Sequence, residues 1–116
     1  MSVNKVILVG NVGADPRFEY VGSRPYATMT LATTEPAVAG AGGEMVPERT
    51  EWHRLVMWDA NAETAERYIT KGTKLYVEGK LRTRAWLDRN AIKRTVTEIV
   101  VDTLDILQRA RQGEGH

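Results

Sequence analysis

The stretch Lys74-Leu75-Tyr76-Val77-Glu78-Gly79-Lys80-Leu81-Arg82-Thr83-Arg84-Ala85-Trp86 alternates strictly. Leu75, Val77, Gly79, Leu81 and Thr83 share one parity; Lys74, Tyr76, Lys80, Arg82, Arg84 and Trp86 share the other. Successive side chains on a strand point to opposite faces. The pattern therefore predicts one long strand with the first set turned toward a core. The second set is a ladder of cations ending in an indole. Cations track phosphates and aromatic rings stack on bases, which together suit a single nucleic-acid strand. An edge strand whose Lys and Arg guard against aggregation carries the same pattern, so this stretch alone leaves both readings open.

Charge is unevenly spread around it. From Lys71 to Thr95 there are eight basic and two acidic residues, a local balance of +6, while the rest of the chain sums to −5. The net charge of +1 argues little for a polyanionic partner; the asymmetry argues more, being the form an electrostatic footprint takes. A length of 116 residues with 42% hydrophobic content suits one domain with one core. No cysteine is present, so neither a disulfide framework nor a thiolate metal site is expected. The N-terminal apolar run is too short for a signal peptide or membrane span, and a soluble cytoplasmic protein is the expectation.

A second strand is equally informative. From Arg49 to Trp58, the residues Thr50, Trp52, Arg54, Val56 and Trp58 share a face, opposite Glu51, His53, Leu55 and Met57. Two tryptophans flanking an arginine fit a pure core poorly, because an unpaired buried charge is costly. Val3 to Gly10 is apolar on both parities, the mark of a strand covered on both faces; in so small a domain another copy of the chain could cover the second. Asn11 to Pro16 reads as a turn, and Arg17–Val21 with Tyr26–Thr34 as a hairpin. Glu35 to Glu48 is rich in Gly and Pro and predicts a long projecting loop. Asp59 to Lys71 is the one helix, with Asp59 or Asn61 as N-cap, Gly72 at the C-cap, and Ala62, Ala65, Tyr68 and Ile69 facing inward. Leu87 to Ala91 turns the chain into a last strand within Ile92–Leu107. Residues 1–107 then form one domain, and 108–116 are a polar end expected to fray.

Five main strands with one helix between the third and fourth is the layout of an OB-fold barrel, an all-β architecture that binds oligonucleotides or oligosaccharides on one strand face. The chain also resembles the family of bacterial-type single-stranded DNA-binding proteins (SSB). The resemblance rests on Val3-Asn4-Lys5-Val6-Ile7-Leu8-Val9-Gly10-Asn11, Asp15-Pro16, Thr30-Leu31-Ala32-Thr33, Thr50-Glu51-Trp52-His53-Arg54, Lys71-Gly72 and Tyr76 to Arg84. It implies a homotetramer, a dimer of dimers, wrapping single-stranded DNA without sequence preference in replication, recombination and repair. It also implies a cytoplasmic, nucleoid-associated location, no catalysis, no cofactor and no metal.

Carried over by position, Trp52, Trp58 and Trp86 are the expected base-stacking aromatics. Arg54, Lys71, Arg82 and Arg84, joined by Lys80 of the basic ladder, are the expected nucleic-acid cations. Asn4, Val6, Leu8, His53 and Tyr76 are the expected subunit-interface residues. Two substitutions depart from the pattern: Ala37 stands where many relatives have Trp, and Ala85 where Lys is frequent. Relatives also continue into a disordered tail with an acidic tip that recruits proteins. This chain stops at His116, so no tail-mediated recruitment is expected of it.

An enzyme is the first rival. The only serines are Ser2 and Ser23, the two histidines are His53 and His116, and no cluster has metal-ligand spacing. An OB-fold RNA binder or primosome-type assembly scaffold is the second. The three tryptophans argue against a pure scaffold, whereas RNA and DNA share stacking and phosphate contacts.

Overall fold

The computed structural model describes residues 1–110. Its elements are β1 (Val6–Val12), β2 (Arg17–Val21), β3 (Arg24–Glu35), β4 (Val38–Ala39), β5 (Met45–Val46), β6 (Arg49–Trp58), α1 (Asp59–Tyr68), β7 (Lys74–Leu87) and β8 (Lys93–Gln108). The main sheet runs β1-β7-β8-β6-β3-β2, and β1 also pairs with β3. That last pairing, Asn11 with Ala32 and Val12 with Leu31, closes five strands into the ring expected of an OB-fold. Closure removes the free edges that a twisted sheet otherwise exposes. Among the described residues no helix is long and apolar enough to cross a membrane.

The interior is filled by alternate residues of each strand. Leu31, Leu55, Met57, Leu75 and Val77 are fully enclosed, with Met29, Ile99 and Val101 beside them. Ala62 and Ala65 of α1 join the same cluster, followed by Ile69; their small side chains let the helix lie close to the barrel. Gly79 marks a close approach. A Cβ there would lie 2.3 Å from the carbonyl oxygen of Val100, beside a register shift where β8 gains a residue on β7. Such a bulge increases local twist and bends the strand.

The bend separates two halves of β7. Up to Gly79, Leu75 and Val77 point inward as the alternation predicts. Beyond it, residues 80–87 are exposed on both faces, and Leu81 and Thr83 do not meet a core. With the facing part of β8 they form a two-stranded arm leaving the barrel. Its turn is tied by Asp88, whose Oδ1 accepts the amide N–H groups of Asn90 and Ile92 and whose Oδ2 accepts from Arg94 Nε. Those bonds hold the Asp88 carboxyl below its ordinary range.

Other boundaries also differ from expectation. β1 begins at Val6 rather than Val3, because the Asn4 side chain takes over the next rung. Its Oδ1 accepts the Leu81 N–H and its Nδ2 donates to the Leu81 carbonyl, both at 2.9 Å. The helix ends at Tyr68, not Lys71. No side chain caps its N-terminus: Asp59 is held by Arg24, and Asn61 donates to carbonyls of β8. Tyr68 is exposed, and Ile69, already extended, takes the buried place. Gly72, at φ 95°, serves the turn into β7 instead of the helix end. The Gly-rich segment after β3 is partly ordered, since β4 and β5 pair as a small hairpin at the tip of the β3–β6 arm. Of the polar end, Gln108 closes β8, and 111–116 lie outside the described residues.

Leu75 and Leu81 share a strand and a parity, so their truncations test where the barrel ends. Leu75→Ala is expected to cost ~2–5 kcal/mol, lowering Tm by about 10–20 °C. Leu81→Ala should stay within about 0.5 kcal/mol. Thermal melts of the two variants measure the difference.

Candidate nucleic-acid interface

Cross-strand register decides which side chains share the barrel's outer surface. Leu55 and Val56 of β6 pair in parallel with Ile99 and Val100 of β8. Val100 and Glu98 pair in turn with Lys80 and Arg82 of β7. Leu55 and Ile99 are core residues, so Val56, Val100 and Lys80 face outward. Alternation then carries Trp52, Arg54 and Trp58 of β6 to the same side as Arg82, Arg84 and Trp86 of β7. Seven of the eight expected nucleic-acid residues thus lie along one continuous face. Lys71 lies apart, in the turn after α1, where its N–H is held by Asp15 at 2.8 Å.

The centre of this face is an acidic residue that the sequence reading missed as part of the site. Glu98 is buried between two arginines. Its Oε2 accepts from Arg54 Nε at 2.7 Å and from Arg84 Nη2 at 3.3 Å, and its Oε1 accepts from Arg84 Nε at 3.1 Å. Burial pushes the Glu98 carboxyl up, but the hydrogen bonds and charges of the two arginines outweigh it and hold the group below the ordinary carboxylate range. Both guanidiniums remain half-exposed. The carboxylate therefore anchors their stems and leaves their outer edges to solvent. Arg82 and Lys80 enter no ion pair among the described residues.

The three indoles differ in setting. Trp52 is 62% exposed, and one edge of its ring lies against the backbone of Gly13, where a Cβ would come within 2.4 Å. A side chain at position 13 would displace the ring. Trp86 is 48% exposed on the arm, opposite Arg94. Trp58 is half-buried instead. Tyr26 packs against it with ring centroids 4.5 Å apart, and the Arg24 guanidinium sits 4.4 Å over its ring. Arg24 is fixed there by Asp59, with bonds of 3.2 and 2.8 Å. Trp58 is thus flanked by a tilted Tyr26 ring and a guanidinium, not a bare platform. Arg24 and Tyr26 are contributors that sequence reasoning passed over, because neither belongs to the strands that carry the tryptophans.

The expected interface residues fall into three groups. Val6 and Leu8 turn inward and pack on the core, contrary to expectation; the outward apolar side chains of β1 are Ile7 and Val9, both exposed. Asn4 is engaged within its own chain by Leu81. Tyr76 does lie outward, opposite Val9, its hydroxyl donating to Glu78, which also pairs with Lys5 at 3.0 Å. His53 is on the strand face opposite Trp52, as its parity predicts, hydrogen-bonded to Thr33 Oγ1 at 2.8 Å.

Residues 3–107 match the single-strand binding protein family. A "Single-stranded DNA-binding protein" of Bacteroides thetaiotaomicron is 50% identical over 108 residues, covering 92% of this chain and 67% of that protein. Among solved structures, an SSB of Plasmodium falciparum in complex with ssDNA superimposes with a TM-score of 0.83 at 34% identity, over 93% of this chain and 97% of that one.

Glu98→Gln removes a carboxylate whose folded pKa is depressed. The stability it contributes is present above its unfolded pKa, ~4.3, and is lost as pH falls through the folded value. The variant should be less stable at neutral pH by ~1–3 kcal/mol, the scale of charged hydrogen bonds. Its stability should also fall less steeply than the parent's below about pH 5. Denaturant melts across a pH series check both expectations.

Proposed function

We propose that this chain, which belongs to the single-strand binding protein family, binds single-stranded DNA without regard to sequence along the outer face of β6, β8 and β7. The observation that carries the reading is the alignment of exposed Trp52 and Trp86 with Lys80, Arg82 and Arg84 on that one face. Exposed indoles stack on unpaired bases whatever their identity, and a row of cations follows the phosphates. A duplex hides the base faces that the indoles need. Arg82, unpaired among the described residues, is the cation best placed for a phosphate. Arg54 and Arg84, held at their inner edge by Glu98, offer their remaining N–H groups in fixed positions. At Trp58 a base meets the Arg24 guanidinium first, and stacks on that plane or displaces it.

The same reading includes self-association as a dimer of dimers. What supports it is the outer side of β1, where Ile7 and Val9 stand exposed beside Tyr76. An apolar row on a barrel exterior suits a second copy of the same surface. Light scattering should give four times the chain mass. Ile7→Glu should lower that mass while keeping the melting transition, because Ile7 is outside the core. A parent that scatters as a monomer at micromolar concentration refutes the assembly.

Stacking and charge separate cleanly in titrations with oligo(dT) followed by tryptophan fluorescence. Trp52→Ala and Trp86→Ala should each lose ~1–3 kcal/mol of affinity with the salt slope nearly unchanged. Arg82→Ala should weaken binding and lower the slope by ~0.7, the share of one phosphate on a single strand. A parent whose fluorescence and salt dependence do not respond to oligo(dT) refutes the proposed function.

A further inference from the structure

We propose that the notch between the β1–β2 turn and the outer surface of β3 and β6 holds one phosphate of the bound strand, with Arg17 as its outer ligand. This rests on the function proposed above and extends it to a residue on a strand outside the closed ring. The notch has a volume of about 150 Å³ and is lined by Asp15, Arg17, Thr28, Thr30 and Arg54 among others. Pockets that enclose a drug-sized molecule start near ~300 Å³. The notch therefore suits one unit of a longer chain that continues outside it.

Register places its donors together. Arg17 opens β2 and pairs with Thr28 of β3. Thr28 pairs with Val56, and the next outward residue, Thr30, pairs with Arg54. Arg17, Thr28, Thr30 and Arg54 thus occupy adjacent positions on the outer face, continuous with Trp52 and Glu98. Arg17 is exposed and makes no ion pair or side-chain hydrogen bond among the described residues. The Thr28 and Thr30 hydroxyls and the terminal nitrogens of Arg54 are likewise unengaged there. Two guanidiniums and two hydroxyls converging on a small open notch are the donor set of an anion site.

The surrounding charge permits one anion and discourages two. The charged groups that line the notch are two guanidiniums, of Arg17 and Arg54, and one carboxylate, of Asp15. Asp15 lines the notch with one oxygen committed to the Lys71 N–H, so the phosphate sits toward the arginine side. Arg54, two residues from Trp52 on the same face of β6, forms the wall of the notch nearest that indole.

The test is titration of the full chain with oligo(dT) at several salt concentrations. Arg17→Ala should bind about 10-fold more weakly at low salt, the scale of one charged hydrogen bond, and its salt slope should be smaller by ~0.7, one phosphate on a single strand. Arg17→Lys should restore most of the slope. Arg67→Ala, on the exposed side of α1, removes the same charge elsewhere and should leave both quantities at the parent's values. The proposal is overturned if Arg17→Ala binds like the parent, if Arg67→Ala loses as much, or if Arg17→Ala loses its melting transition. A parent that fails to bind oligo(dT) overturns the proposed function first and this site with it, a result distinct from a binding parent with an unaffected Arg17 variant.

Discussion

Two rungs of parallel pairing, Leu55 with Ile99 and Val56 with Val100, hold the outer face together. The candidate site residues of β6 meet those of β7 only through β8, and β8 pairs with β6 over this short length. Shift that pairing by one residue and alternation sends Trp52, Arg54 and Trp58 to the interior. The register is protected from both sides. Inside, Leu55 and Ile99 are enclosed in the core. Outside, Glu98 clamps Arg54 on one neighbouring strand and Arg84 on the other. One buried carboxylate thus staples three strands, and the same bonds orient two of the site's cations.

That dual use changes how the basic ladder should be understood. Counting charge treats each arginine of the β7–β8 arm alike, yet their environments differ. Arg84 is braced, Arg82 is free among the described residues, and Arg94 is committed to the turn through Asp88. A braced guanidinium has less side-chain freedom left to lose on meeting an anion, an effect opposite in sign to the partial neutralisation by its carboxylate. The Arg24–Asp59 pair does for Trp58 what Glu98 does for Arg84. It fixes a planar cation on the ring at the end of β6.

The projecting segments divide the work along physical lines. The β7–β8 arm is largely exposed on both faces and carries Trp86 together with Lys80, Arg82, Arg89 and Lys93, which enter no ion pair among the described residues. The β3–β6 arm ends in the small β4–β5 hairpin, whose exposed large apolar side chains are Val38, Met45 and Val46. That tip carries no aromatic ring, so the exposed indoles of the chain stand on β6 and the β7–β8 arm.

The sequence by itself determined the strand periods, the single helix, the fold class and the stacking candidates. Each is a local matter: period-two alternation, a Gly–Pro break or an indole on a cationic strand can be read without knowing any partner. It could not say which parity of β1 is inside, because Val6 and Leu8 are as apolar as Ile7 and Val9, and only ring closure chooses between them. Nor could it say that β7 leaves the barrel after Gly79, since the alternation continues unbroken while the neighbouring strand does not. Glu98 was legible as a residue and invisible as a centre. Its partners Arg54 and Arg84 lie 44 and 14 residues away, and contacts that distant exist only once the closed ring has set every register at once.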